Sequence, residues 1–298
     1  MIKHSASTTS EQNSSIRKKL GLVLFLTVFY MLAEVIGGIL TNSLALFADA
    51  GHMLGDFTAL TMSFIATFIV AKPASTEKTF GYYRTEIIVA LINGLLLIGV
   101  AFFILHEGIM RVLSPLEVKA PLMIIIATGG LIINLIGLAV LHSSIKQNLN
   151  VKGAFLHIIG DTLGSIGTII AGAIIYFYQF YYADLIISFI IALLITYNAV
   201  KLIKESANIL LEGTPKHLDI NEIKEAVLEL GEVNQVHELH VWSISQQRVA
   251  LSVHVVSDHE DSQEVLCKVD RLLKEKFDIQ HLTIQVEPTG FPKNSCDF

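Results

Sequence analysis

The chain has 298 residues, 52% hydrophobic and only 16% charged, with a mean hydropathy of +0.59. That balance excludes an ordinary soluble protein of this length and predicts an integral membrane protein. Two cysteines, Cys267 and Cys296, exclude a disulfide framework and are compatible with a reducing setting for the polar C-terminal part. The net charge of −6 is uneven: residues 206–298 carry 8 Lys/Arg against 16 Asp/Glu, while residues 1–205 carry 13 against 11. The acidic segment attracts cations and repels nucleic acid and anionic lipid, so no nucleic-acid partner is expected.

Residues 1–16 are polar and Ser/Thr-rich without an apolar core, which predicts a disordered cytoplasmic tail rather than a signal peptide; His4 there is alone and expected to be inert. Six apolar runs follow, at about 20–40, 44–70, 86–109, 121–141, 151–177 and 183–200, each long enough to span a bilayer as a helix. An even number of spans puts both termini on one side. Arg17, Lys18, Lys19, Lys72, Lys78, Arg84, Lys146, Lys152, Lys201 and Lys204 lie on that side, against Arg111 and Lys119 on the other, so both termini are expected in the cytoplasm. The short turns at 41–43 and 180–182 make spans one and two, and five and six, hairpin neighbours. Tyr and Phe at 176–182 read as an interfacial belt.

After Thr214-Pro215 the pattern changes. Residues 218–230 read as an amphipathic helix, 233–244 and 249–256 as strands joined by a tight Gln246-Gln247 connection, 261–277 as a second helix and 281–286 as a last strand. This αββαβ order predicts a small α+β domain of open ferredoxin type at 206–290, behind an all-α six-helix transmembrane domain at 17–205, with a tail at 291–298.

Two matched pairs carry the chemistry. His52 and Asp56 on the second span, and His157 and Asp161 on the fifth, are each four residues apart, which places each pair on one helix face. Ionisable groups inside spans mark ion sites or pathways by default. With the spans antiparallel, His52 comes level with Asp161 and Asp56 with His157. Two nitrogens and two oxygens then converge tetrahedrally, and a 2+ ion neutralises the two carboxylates. At roughly 1.5 Å per residue, His52 and Asp56 lie about 12 to 18 Å from the outer helix end, at mid-bilayer depth. Gly51 and Gly55 beside one pair, and Gly160 and Gly164 beside the other, are expected to let these two helices approach closely. Asp49, one turn outward of His52, is a candidate proton or metal relay, with capping or hydrogen bonding as the alternative. Glu34, Asn93, Asn134, His106 and Glu107 read as interhelical hydrogen-bonding groups.

Residues 42–56 (NSLALFADAGHMLGD), 79–86 (TFGYYRTE), 157–161 (HIIGD) and 236–242 (VHELHVW) together resemble the cation diffusion facilitator family, in its zinc-transporting, cobalt/zinc/cadmium-resistance branch. The resemblance covers nearly the whole chain beyond the tail. It implies a homodimeric antiporter, not an enzyme, that exports Zn²⁺, sometimes Cd²⁺ or Co²⁺, for protons, binding the ion with the residues matching His52, Asp56, His157 and Asp161. It further implies a cytoplasmic dimerising domain like a metallochaperone, in which His237, His254 and Glu287 match a regulatory zinc site and His281, Gln285 and Cys296 are candidate extra ligands.

Two departures from the family pattern matter. The 72–84 loop holds no His or Cys, and Tyr83 stands where related transporters commonly have His, so no second metal is expected there. The 143–152 loop lacks a histidine-rich insert, which favours a bacterial plasma (inner) membrane. By the same resemblance Cys267 stands where some relatives place a histidine; it could bind metal, but a small buried apolar residue is the more common role. Two other functions stay open at this stage. An intramembrane metalloenzyme would want three ligands, an open position and a general base, and a sensor would need only the C-terminal domain. Metal flux with Asp56 or His157 removed separates the three.

Overall fold

The computed structural model describes residues 3–70, 72–142, 149–246 and 248–290. Eight helices and three strands follow in the order α1 (Lys3–Thr41), α2 (Leu44–Val70), α3 (Arg84–Leu113), α4 (Ala120–His142), α5 (Leu149–Tyr178), α6 (Tyr182–Leu210), α7 (Ile220–Leu228), β1 (Gln235–Ser245), β2 (Arg248–Val256), α8 (Ser262–Phe277) and β3 (His281–Glu287). Among the described residues, six helices are long and apolar enough to cross a membrane. Helix α1 starts at Lys3 rather than at the first apolar residue, so the expected disordered tail is helical. No Pro or Gly interrupts residues 3–20, and extending an existing helix costs far less than nucleating one.

Contacts divide the chain into two compact units, one formed by residues 1–61 and 93–201, the other by 62–92 and 202–298. The first holds α1, α4, α5 and most of α2, α3 and α6. One of its cores joins Leu44 and Ala48 of α2 to Ala101 and Ile104 of α3 and Ala192 and Ile195 of α6. Another joins Ala45 and Leu46 to Met123 and Ala127 of α4 and Ala171 and Ile175 of α5. Helix α2 is therefore packed on both sides near its start, and Leu44, Ala45, Leu46 and Ala48 have no exposed surface. Its large outward-facing residues, Phe64 and Phe68 in the second unit, are the apolar surface a lipid-facing helix presents.

The second unit contains the α+β domain. Its sheet runs β1-β2-β3, antiparallel between the first two strands and parallel between the last two. Strand periodicity sorts the side chains: Leu251, Val253 and Val255 are buried, and they share a core with Ile223 and Val227 of α7 and Val265, Val269 and Leu273 of α8. Ser252 and His254 alternate onto the other face. Helix α8 starts at Asp261, whose carboxylate accepts from the backbone N–H groups of Gln263 and Glu264, and ends at Asp278 in the left-handed region. Cys267 is exposed on α8, not the buried residue expected, because Val265, Val269 and Leu273 already occupy the inward face. In the same unit, the TFGYYRTE segment (79–86) anchors on the domain. Arg248 stacks 4.0 Å above the Tyr83 ring, Arg84 pairs with Glu212 at 2.9 Å, and Phe80 meets the His281 ring at 5.4 Å.

Candidate metal centres

Helix α2 begins in a network that sequence reasoning missed. Ser43 caps the helix, its Oγ accepting from the Leu46 N–H, and donates to Asp184 Oδ1 at 2.6 Å. Asp184, in the first turn of α6, also accepts from the backbone N–H of Leu44 (2.7 Å) and Ala45 (3.2 Å). An acid in a helix's first turn reads from sequence as serving its own helix. Here it serves the start of a neighbour. Asn42 adopts a left-handed φ of 58°, and its carbonyl accepts from Arg111 Nη1 at 2.5 Å. Two turns further along this pinned helix stand His52 and Asp56.

The structure brings the two His/Asp pairs together across α2 and α5. His52 Nε2 lies 3.8 Å from Asp161 Oδ1, and His157 Nε2 lies 3.2 Å from Asp56 Oδ2. Within each helix, His52 Nδ1 is 3.8 Å from Asp56 Oδ2 and His157 Nε2 is 3.5 Å from Asp161 Oδ2. The imidazole rings cross edge to face with centroids 5.6 Å apart. Ligand atoms of His52, His157 and Asp161 all fall within 4.8 Å of one another, and Asp56, outside that group of three, places Oδ2 against His52 Nδ1 and His157 Nε2. Yet Asp56 Oδ2 and Asp161 Oδ1 are buried without a hydrogen-bond partner. Lone pairs and ring nitrogens that gather without aligning as donor and acceptor are what a shared cation requires.

The flanking glycines act differently from the expectation. A Cβ at Gly51 would stand 2.6 Å from Val100 Cγ1, and one at Gly55 would collide with Leu97, so both let α2 approach α3. Gly160 faces nothing within 4 Å, and only Gly164 lies at the α2–α5 contact, where a Cβ would meet Asp49 Oδ1 at 3.2 Å. The polar groups expected as interhelical links also divide. Thr58 Oγ1 donates to Asn93 Oδ1 at 3.0 Å between α2 and α3, and Asn134 faces Ser165 at 3.5 Å between α4 and α5. Glu107 pairs instead with Arg111 of its own helix at 2.8 Å, because the i,i+4 spacing offers a nearer partner. His106 is exposed and stacks on Phe102. Glu34 is fully buried with neither carboxylate oxygen hydrogen-bonded.

A second cluster lies on the sheet face opposite the helices. His237, His254 and Gln285 occupy one register row across the three strands, and Glu287 lies two residues further along β3 on the same face. His237 Nε2 is 3.1 Å from Glu287 Oε2, His254 Nδ1 is 2.8 Å from Glu287 Oε1, and Gln285 Nε2 donates to Glu287 Oε1 at 2.8 Å. Ligand atoms of His237, His254 and Glu287 fall within 4.8 Å of one another. Gln285 thus orients Glu287 in this structure. His281, expected as an extra ligand, sits four residues before Gln285, about 13 Å along the strand, and contacts Phe80 instead. Cys296 lies outside the described residues.

A bulge after His237 puts Glu238 at a φ of 50° and brings His240 back to the open face, where its Nε2 is 3.1 Å from Glu238 Oε2. That contact holds the exposed Glu238 carboxyl below its ordinary range.

Six apolar helices around a partly exposed His/Asp cluster in which Asp161 alone is buried, joined to a small α+β domain, define a multi-pass membrane transporter for cations. Residues 20–211 match the cation efflux transmembrane domain and residues 215–289 match the cation efflux protein cytoplasmic domain. The chain belongs to the cation efflux, or cation diffusion facilitator, family, in its zinc-transporting, cobalt/zinc/cadmium-resistance branch. It is 42% identical to the metal cation efflux system protein CzcD of Cupriavidus metallidurans over 91% of this chain and 86% of that one. It is 40% identical to the cadmium, cobalt and zinc/H(+)-K(+) antiporter of Bacillus subtilis (92% and 90% covered) and 39% identical to the zinc transporter ZitB of Escherichia coli (95% and 91%). The metal-bound C-terminal domain of the CzcD transporter from Cupriavidus metallidurans aligns with 24% of this chain and 99% of its own length, at 38% identity and a TM-score of 0.22.

Proposed function

We propose that this protein exports Zn²⁺, and with it Cd²⁺ or Co²⁺, from the cytoplasm in exchange for protons, through a site made by His52, Asp56, His157 and Asp161. The observation that carries the reading is the pair of buried, unpartnered oxygens, Asp56 Oδ2 and Asp161 Oδ1, set against two imidazoles at 3.2 to 3.8 Å. Two carboxylates and two neutral imidazoles match a 2+ ion in charge, which reduces the cost of holding it in low dielectric. The relatives' printed names, which include zinc, cadmium and cobalt transport and H(+) exchange, support the same assignment. Loading takes place from the cytoplasmic side with the ligands deprotonated. Rocking of helices then opens the site to the other side, where protons compete for the same nitrogens and oxygens and the metal leaves.

Both termini lie in the cytoplasm, as the Lys/Arg bias of the loops supports, and the lack of a histidine-rich insert at 143–152 favours a bacterial inner membrane. The α+β domain is a homodimerising module in which His237, His254 and Glu287 bind regulatory Zn²⁺. Its acidic charge opposes self-association until cations neutralise it. Four candidate ligands, where catalytic zinc keeps three and an open position, disfavour a metalloenzyme. Zinc flux into proteoliposomes under an imposed pH gradient tests the reading. Flux should be robust in the unaltered protein and fall to background in Asp56→Asn and His157→Ala, and undiminished flux in those variants would remove the site.

A further inference from the structure

We propose that a groove at the end of α2 binds the headgroup of a zwitterionic phospholipid, one that carries a phosphate and a primary ammonium. The groove lies wholly within the second compact unit and measures about 1240 Å³. Ala66 and Val70 of α2 give it an apolar wall. Four charged side chains also line it: Lys72 just past α2, Arg248 at the start of β2, Glu86 in the first turn of α3 and Asp278 at the end of α8.

The place of the groove points to lipid. Helix α2 has 27 residues, about 40 Å at roughly 1.5 Å per residue against a hydrocarbon core of about 30 Å, so its last turn emerges at headgroup depth. Ile65 and Phe68 on that stretch are exposed apolar residues, suited to acyl chains rather than to water. Small-molecule clefts commonly hold roughly 300 to 1,000 Å³. This groove has room for a headgroup and the first carbons of its chains.

The charges select the headgroup. Two cations and two carboxylates share the groove, yet among the described residues none of the four forms an ion pair. Arg248 is held over the Tyr83 ring at 4.0 Å, which occupies the guanidinium face and leaves its N–H edge for a phosphate. Asp278 Oδ1 accepts from Gln280 Nε2 at 2.9 Å, and its second oxygen is left for another donor. Opposite charges that do not close on each other present both signs to a ligand. A zwitterion answers them group for group, phosphate to Lys72 and Arg248, ammonium to Glu86 and Asp278. A purely anionic headgroup would leave both carboxylates unanswered. A quaternary ammonium has no N–H to give them, and the rings that could cage it are engaged, Tyr83 by Arg248 and Phe80 by His281 at 5.4 Å. A primary ammonium donates up to three hydrogen bonds.

Native mass spectrometry of the full-length protein in detergent tests the assignment, with phosphatidylethanolamine, phosphatidylglycerol and phosphatidylcholine of identical chains offered together. Phosphatidylethanolamine should be retained about 10-fold or more over the other two. Lys72→Gln and Glu86→Gln should each erase that preference while the thermal midpoint without added lipid holds. Glu86→Lys should turn the preference toward phosphatidylglycerol, a switch that a misfolded variant cannot show. Soluble glycerophosphoethanolamine should displace the lipid better than inorganic phosphate does. Equal displacement by the two would assign the groove to a free anion and overturn the proposal. So would equal retention of phosphatidylcholine, stronger retention of phosphatidylglycerol by the unaltered protein, or a preference unchanged in the variants. No zinc is added, so these outcomes are independent of the transport reading.

Discussion

In the helix bundle, Asp56 Oδ2 and Asp161 Oδ1 are buried beside two imidazoles and accept no hydrogen bond, whereas on the sheet face Glu287 takes polar contacts from His237, His254 and Gln285. The same residue types are incomplete in one place and self-satisfied in the other. A buried acceptor without a donor is costly, so the bundle site is stable only with a cation or protons supplied to it. The sheet site can stand without metal, and an ion entering it must displace hydrogen bonds the protein already makes. That contrast accords with the transport role proposed for the first cluster and the regulatory role proposed for the second.

The largest effect should come from removing a charge from the incomplete site. Asp161→Asn should weaken zinc binding at the transport site by at least about 100-fold, read by titration of the full-length protein. Equal affinity in the variant would erase the contrast. Next is the frame that holds α2: Asp184→Ala leaves the Leu44 and Ala45 N–H groups without acceptors and should destabilise the protein by about 2 to 3 kcal/mol, seen as a lower thermal midpoint in detergent.

A smaller change is expected on the sheet. His254→Ala should lower affinity at the second site by roughly 10-fold or more, yet leave the fold and gradient-driven transport in place, because Glu287 keeps His237 and Gln285. Metal stoichiometry should fall while the unfolding midpoint holds. A collapse in stability would show that the sheet cluster is structural.

The smallest effect concerns Asp258, whose carboxylate accepts from the Thr289 hydroxyl (2.6 Å), the Thr289 N–H (3.0 Å) and Asn234 (2.9 Å). The Thr289 contacts hold its carboxyl below the ordinary range. A depressed folded-state value means the carboxylate stabilises the fold fully above about pH 4 and loses that contribution as pH falls through the lowered value. Asp258→Asn should flatten this part of the acid-unfolding curve without moving metal binding at either cluster.

Much of this was readable along the chain because the signals are local. An i,i+4 spacing fixes a helix face, as at His52/Asp56 and His157/Asp161, and a period of two fixes a strand face, as at Leu251, Val253 and Val255. Turn chemistry and hydropathy placed the six spans and the αββαβ order. Other features depend on which element lies opposite, and no periodicity encodes that. Gly51 and Gly55 face Val100 and Leu97 of α3 rather than α5, and Glu107 turns to Arg111. Asp184 serves a helix 140 residues away in sequence. His281 is separated from the sheet cluster by strand rise, while a bulge returns His240 to the open face. Glu34 reads in sequence like any intramembrane hydrogen-bonding residue. Only packing encloses it completely, since Glu34 has no exposed surface. Sequence alone determined the elements, their faces and the ligand types. Tertiary structure decided which polar groups found partners and which did not, because hydrogen-bond satisfaction is a property of neighbours that only the packed chain brings together.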